Sequence, residues 1–355
     1  MRRREVLTGA VALAGCAGMA GTATQQSAAG PIVIGHRGCS GERPEHSMAA
    51  YVRAFDQGAD AIEPDLVMTR DGVLVCRHEN EISGTTDVSA HPEFAERRRE
   101  GTVDGVTSTG WWTEDFTLAE LKTLRCKERL PMLRPESAAF DGQEQILTFA
   151  EALALVRQRG KQIVAELKHV KYLKSVGLDP MPAFIQTMQA AGGQRAADIT
   201  IVECFEKEPL VQLASMSSIR WQCVQLMAPR VAPVDHPELS YEQMTTESGL
   251  RAVKEYAIGI GVEKVMVIPR DDQNRALAPT DLTARAHAAG LKVYVWTFRA
   301  ENLFLPVDLR LGDASAPDYQ RLHGNLTDEL RQFYALGVDG VFCDLPGIAA
   351  AARRA

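Results

Sequence analysis

Apolar runs and helical stretches alternate along most of this chain. Runs that read as strands lie at 32–36, 61–67, 162–167, 199–204, 220–226, 263–268, 292–297 and 339–343, with helical segments between most of them. Eight such strands predict a parallel sheet closed into a (β/α)8 TIM barrel. A doubly wound open sheet would need a glycine-rich phosphate loop after its first strand, and Gly35 to Gly41 lacks the G-x-G-x-x-G spacing. A first helix is expected from near Pro44. The alternation lapses between His78 and Gln145, where turn-rich and charged pieces such as GTTDVS and HPEFAERRREG replace it. A plain connection in a compact domain is far shorter, so residues 79–145 are expected to be a subdomain insertion after the second strand, covering the mouth of the barrel. Trp111 and Trp112 read as the core of that piece, with a lid as the alternative. A second irregular stretch, 299–325, is also expected to border the mouth.

Residues 1–15 have another pattern: Arg2, Arg3 and Arg4 precede a short run of small apolar residues, and Leu13-Ala14-Gly15-Cys16 resembles a bacterial lipobox. Such a run is too short to span a bilayer, and RRREVL also resembles a weak twin-arginine export signal. The expectation is a signal peptide with lipidation at Cys16; plain cleavage near residues 20–23 is the alternative. Residues 16–30, rich in Gly, Ala, Ser, Thr and Gln, would then be a flexible linker before one domain over 31–355.

The chain carries a net charge of −7, and loss of residues 1–15, with three arginines and one glutamate, makes it −9. An acidic chain with no basic run beyond Arg97-Arg98-Arg99 offers nothing to nucleic acid. Of the cysteines after Cys16, four fall in predicted strands and read as small buried hydrophobes. None has C-x-x-C spacing, so zinc is not expected, and no disulfide pairing follows from spacing.

Candidate chemistry concentrates between Ile32 and Glu79. The first strand delivers His36 and Arg37 at its end, the second carries Glu63 and Asp65, and the return after Asp71-Gly72 ends at His78. Residues two apart in a strand share a face, so Glu63 and Asp65 would repel one another unless a cation lay between them. Hard oxygen ligands favour Ca²⁺ or Mg²⁺. In the barrel reading His36, Arg37, Glu63, Asp65, Glu166, Lys168, Glu203, Trp296 and Asp344 all fall at C-terminal strand ends, where a barrel carries its chemistry.

The order HRG, PEHS, E-x-D and VCRHE, followed by DFTLAELKTL, AELKH, ECF, VWTFR and VFCDLP, resembles the glycerophosphodiester phosphodiesterase family, in particular its secreted or periplasmic branch, over roughly residues 31–350. The resemblance implies metal-dependent hydrolysis of small glycerophosphodiesters, such as glycerophosphocholine or glycerophosphoethanolamine, to sn-glycerol 3-phosphate and an alcohol. It implies His36 and His78 as the catalytic histidines, with acid and base unassigned between them, and Arg37 as catalytic and phosphate-binding. The metal, Ca²⁺ or alternatively Mg²⁺, would sit on Glu63, Asp65 and Glu166. Lys168, Glu203, Phe205 and Trp296 would contact substrate, although Glu203 departs from a glutamine common in the related periplasmic enzymes.

Glu45 matches the family's Pro-Glu position; it would orient His36 or touch the metal shell, or else simply favour a helix dipole. For His46 solvation or capping is expected. Two other readings stand beside the main one: a lysophospholipase D acting on a diester that keeps one acyl chain, and a surface lipoprotein retaining the barrel without catalysis. The expected location is the periplasm or cell envelope of a bacterium, with membrane contact only through a lipid anchor at Cys16. Oligomeric state is not legible.

Overall fold

The computed structural model describes residues 30–354; the expected signal peptide, Cys16 and the linker up to residue 29 lie outside the described residues. Twelve strands occur among them: β1 Ile32–His36, β2 Ala61–Glu63, β3 Asp65–Met68, β4 Leu74–Cys76, β5 Arg99–Val103, β6 Val106–Gly110, β7 Gln162–Leu167, β8 Thr200–Cys204, β9 Gln222–Met227, β10 Gly259–Glu263, β11 Lys292–Phe298 and β12 Gly340–Cys343. Parallel pairing runs β1–β2–β7–β8–β9–β10–β11–β12 and returns from β12 to β1, which closes an eight-stranded barrel. Helices, from α1 (Met48–Asp56) to Pro346–Arg354, return the chain between strands. The fold is a TIM barrel.

The barrel interior explains where the chemistry goes. Ile34, Ala61, Val164, Ile201, Val224, Tyr294 and Phe342, one from each of seven strands, pack into a single inner cluster. The eighth strand, β10, contributes glycine there: a Cβ at Gly261 would lie 2.5 Å from Leu226 Cδ2. The strand period of two then carries residue 36 after 34, 63 after 61, 166 after 164, 203 after 201, 296 after 294 and 344 after 342 onto the same inward face, one layer nearer the mouth. His36, Glu63, Glu166, Glu203, Trp296 and Asp344 therefore converge because the core beneath them is regular.

Three expected elements are corrected. The strand read at 61–67 is two, β2 and β3, parted at Pro64, which has no N–H to give to the ladder. The strand read at 263–268 is displaced: the barrel strand is β10, and Lys264–Val267 is a helical turn. Gly259 and Gly261 hide that strand from propensity, whereas the apolar run after it imitates one. The helix expected near Pro44 starts at Met48, where the Ser47 hydroxyl accepts from Ala50 N at 3.1 Å.

Between β4 and the helix Phe149–Arg159, the chain builds a small apolar core of its own that includes Phe94, Trp111 and Phe116, and it extends the β5–β6 hairpin. Trp111 and Trp112 are buried, as core residues are. The hairpin turns at Asp104-Gly105, both at positive φ, and Asp104 Oδ2 accepts from His169 Nδ1 at 2.6 Å beside the mouth. The six described cysteines are all buried and unpaired.

Candidate active site at the barrel mouth

Three carboxylates, Glu63, Glu166 and Glu203, bring one oxygen each within 4.8 Å of one another, and all three side chains are buried. Burial and the charge of its neighbours push Glu63 and Glu203 well above the usual carboxylate range; burial pushes Glu166 up to about 8, with Lys168 opposing and Asp65 assisting. Glu203 Oε2 has no hydrogen-bond partner although it is buried. Asp65 lies beside the three, close enough for its charge to raise Glu63 and Glu166. Its Oδ2 lies 2.9 Å from His46 Nε2 and 3.4 Å from Arg37 Nε, and its Oδ1 lies 3.6 Å from Lys168 Nζ. Burial opposes its charge, but Lys168, the hydrogen bond from His46 and Arg37 outweigh that and hold it ionised.

These groups fit a divalent cation. Four buried carboxylates face only two cations, Arg37 and Lys168, so full ionisation would leave two negative charges uncompensated, and Glu203 Oε2 is an orphaned acceptor. An all-oxygen donor set suits a hard metal ion.

The two cations stand at the edge of the cluster. Arg37 adopts φ 57°, which turns its backbone N–H onto Glu63 Oε2 at 2.7 Å while its guanidinium reaches Glu45 at 3.2 Å. The next residue, Gly38, has φ +92°, and a Cβ there would lie 2.7 Å from the carbonyl carbon of Ala50 in α1. Glycine is required for the loop to approach the helix so closely. Lys168 Nζ lies 2.8 Å from Glu166 Oε1.

Each histidine is backed by a carboxylate on Nδ1. His36 Nδ1 donates to Asp344 Oδ1 at 2.6 Å, and His78 Nδ1 donates to Glu79 Oε1. Burial, then the Arg37 charge, pushes His36 down to about 4; burial, Arg37 and Lys168 push His78 down to about 3. Both are neutral at pH 7, with Nε2 available for proton transfer. His36 Nε2 lies 3.4 Å from the Thr297 hydroxyl.

Both histidines, Arg37, Lys168 and the three glutamates line one cavity of about 1290 Å³. Trp296 and Phe205 stand edge to face across it with centroids 5.7 Å apart, and Trp296 Nε1 is buried without a partner. A wall on the β8–β9 side is apolar and includes Leu226, Val231, Pro233, Val234 and Tyr241.

The structure thus brings together every predicted site residue except Cys16, which lies outside the described residues, with Glu203 inside the acidic cluster and Asp65 in an ion-pair network beside it. Glu45 precedes the helix cap, so it is no first-turn residue; it is buried and paired to Arg37 and Arg129. His46 is neither solvated nor a cap, being fully buried between Tyr51 and Asp65. Glu79, Arg129, Arg134 and Asp344 were not assigned roles from sequence. Asp344 carried a signal in VFCDLP, whereas the arginines lie in RCKERLPMLRP, which matches no motif.

Comparison with known proteins agrees with this geometry. A model of the glycerophosphoryl diester phosphodiesterase family matches residues 36–348. A glycerophosphodiester phosphodiesterase of Arabidopsis thaliana is 33% identical over 332 residues, covering 89% of this chain and 84% of its own. One from Haemophilus influenzae is 25% identical, covering 96% and 94%. In fold the chain is similar to a glycerophosphoryl diester phosphodiesterase from Silicibacter pomeroyi, with a TM-score of 0.66 at 21% identity, over 92% of this chain and 94% of that one. It is also similar to a phosphodiesterase from Oleispira antarctica solved with its product sn-glycerol-3-phosphate, with a TM-score of 0.59 at 21% identity, over 92% and 98%. By the extent of the family match and by this relative identity, the chain belongs to the glycerophosphoryl diester phosphodiesterase family.

Proposed function

We propose that this chain hydrolyses glycerophosphodiesters, such as glycerophosphocholine and glycerophosphoethanolamine, to sn-glycerol 3-phosphate and the free alcohol. The observation that carries this reading is the pair of carboxylate-backed histidines sharing one cavity with a three-glutamate cluster and two cations. Arg37 offers a planar fork to two phosphate oxygens and Lys168 a point charge to a third. Burial and Arg37 depress both histidines, with Lys168 adding to it at His78, so a bound phosphodiester anion offsets the cationic part and lets one imidazole carry the proton that the departing alkoxide needs. The other imidazole takes the proton of the attacking oxygen. Glu63, Glu166 and Glu203 would hold the divalent ion, with Asp65 orienting Arg37 and Lys168 beside it. When bound, the ion supplies Lewis-acid stabilisation of the phosphate charge. Ca²⁺ is favoured over Mg²⁺ because three protein carboxylates suit its larger, more adaptable shell.

The test follows release of glycerol 3-phosphate from glycerophosphocholine, before and after a chelator, with Ca²⁺ and Mg²⁺ added back separately. Metal-dependent release supports the reading, and no release under either metal from folded protein sinks it. A second reading has an observation of its own. The apolar wall ending at Val231, which is 52% exposed at the rim, offers room for an acyl chain, as a lysophospholipase D needs. Faster turnover of lysophosphatidylcholine than of glycerophosphocholine would favour it.

We also propose export to the cell envelope with lipidation at Cys16, on the evidence of the leader sequence. No helix among the described residues is long and apolar enough to cross a membrane. Replacing Cys16 by Ser should release the protein from membranes, and unchanged fractionation argues against the anchor.

A further inference from the structure

His36 ends β1 and His78 follows β4, yet the carboxylates behind both are gripped from one short loop. We propose that Arg129 and Arg134 are positioning residues: they hold Glu79 behind His78 and Asp344 behind His36, so that each imidazole keeps its proton on Nδ1 and presents a bare Nε2 to the cavity. This inference rests on the phosphodiesterase reading only for its kinetic arm.

The contacts are specific. Arg129 donates from Nη1 to Glu79 Oε1 at 3.0 Å and from Nη2 to Glu79 Oε2 at 2.6 Å. Its Nε and Nη2 also reach the two oxygens of Glu45, each at 2.7 Å, and Glu45 in turn holds Arg37. Arg134 donates from Nη2 to Asp344 Oδ2 at 2.6 Å, from Nε to Glu301 Oε1 at 2.5 Å and from Nη1 to the Ser40 carbonyl at 2.9 Å. Arg299 adds a second hold on Asp344 Oδ2 at 3.0 Å, which leaves Oδ1 to His36.

The loop carrying both arginines is itself anchored. Glu128 is buried and accepts from Leu130 N at 2.8 Å and from the Ser137 hydroxyl at 2.6 Å, while Lys127 N donates to the Thr85 carbonyl at 2.9 Å. Arginine suits the task because its rigid fork fixes both oxygens of Glu79 from Arg129, and spreads three donors from Arg134 over Asp344, Glu301 and the Ser40 carbonyl, which a lysine point charge does not. A carboxylate fixed on Nδ1 selects the tautomer of the imidazole and its orientation. Glu79 is the more dependent of the two. Its side chain is 37% exposed and, without Arg129, nothing else among the described residues ties both its oxygens down.

The inference is tested by ¹⁵N NMR of histidine-labelled protein, which distinguishes Nδ1–H from Nε2–H imidazoles, in the parent, Arg129→Gln and Arg134→Gln. Assignment of the eight histidines uses single His→Gln variants. The expected result is an Nδ1–H tautomer at His36 and His78 in the parent, mixed tautomers at His78 alone in Arg129→Gln, and at His36 alone in Arg134→Gln. Both variants should lose about 10–100-fold in kcat. KM should stay within a few-fold of the parent in Arg134→Gln and rise in Arg129→Gln, because the latter also frees Glu45 and Arg37. Arg129→Lys should recover only part of the loss. Unchanged tautomers in folded variants would overturn the proposal. Should Arg134→Gln fail to fold, because it strands Glu301, the Arg129 arm decides alone, since that side chain is 29% exposed. Loss of turnover by the parent under every metal would remove the phosphodiesterase reading and leave the tautomer result standing.

Discussion

His36 and Asp344 are 308 positions apart in the chain, and their side chains meet at 2.6 Å. They meet because β12 closes the barrel against β1, with Gly35 opposite Cys343 in register. Burial works against the charge on Asp344, but Arg134 and Arg299 outweigh it and keep the carboxyl well below its usual range, so it remains an anion behind the imidazole. Catalytic geometry here is a by-product of barrel closure.

Replacing either histidine should be severe. His36→Ala and His78→Ala are each expected to lower kcat by about 10²–10⁴-fold on glycerophosphocholine. A p-nitrophenyl phosphodiester, whose leaving group needs no proton, should restore much of the rate in the variant that lacks the general acid and little in the other. Equal losses on both substrates for both variants would contradict a division of labour.

The acidic cluster should couple metal binding to protons. Burial holds the Glu166 carboxyl up at about 8, and Glu63 and Glu203 are also raised, so the metal-free protein carries protons there at pH 7. Binding of Ca²⁺ must expel them, hence affinity should strengthen as pH rises from 6 towards 8, by up to about tenfold per pH unit for each proton released. Calorimetry in buffers of differing ionisation enthalpy reads the proton count directly. A count of zero at pH 7 would contradict the stacked charge of the cluster.

Glu203 and Asp65 should part company. Glu203→Gln replaces a carboxylate of the cluster by a neutral amide and should weaken Ca²⁺ by at least about tenfold, or roughly 1.4 kcal/mol. Asp65→Asn should leave Ca²⁺ affinity closer to the parent and raise KM instead, since it frees Arg37 and Lys168. Titration of Ca²⁺ alongside steady-state kinetics separates the two, and the reverse pattern would put Asp65 in the coordination shell.

Gly38→Ala should destabilise the fold by about 1–3 kcal/mol, because alanine at φ +92° is strained and its Cβ would meet the backbone of α1. Thermal unfolding measures it. An unchanged melting temperature would mean that the loop after His36 can retreat.

Much of this was legible in the linear chain. The barrel followed from eight apolar runs, and the carriage of Glu63, Glu166 and Glu203 to the mouth from their places at strand ends, although the metal set expected from sequence was Glu63, Asp65 and Glu166, with Glu203 as a substrate contact. The misplacement of β10 has a non-local origin: its glycines answer to Leu226 and Lys292 on neighbouring strands, contacts that no window of sequence contains. His46 misled for a like reason. Beside a helix cap it looked like a solvated residue, whereas β3 brings Asp65 to it and buries both.

The sequence by itself determined the period of the strands, the types of groups they carry to the mouth, and hence the class of chemistry. Only the tertiary structure decided which groups touch. That Asp65 pairs with Arg37 and Lys168 while Glu203 lies with Glu63 and Glu166, and that Arg129 and Arg134 reach the carboxylates behind both histidines, depends on distances between residues that only the folded chain brings together. Charge pairing falls off within a few ångströms, and partners so far apart in the chain leave no spacing by which to be read.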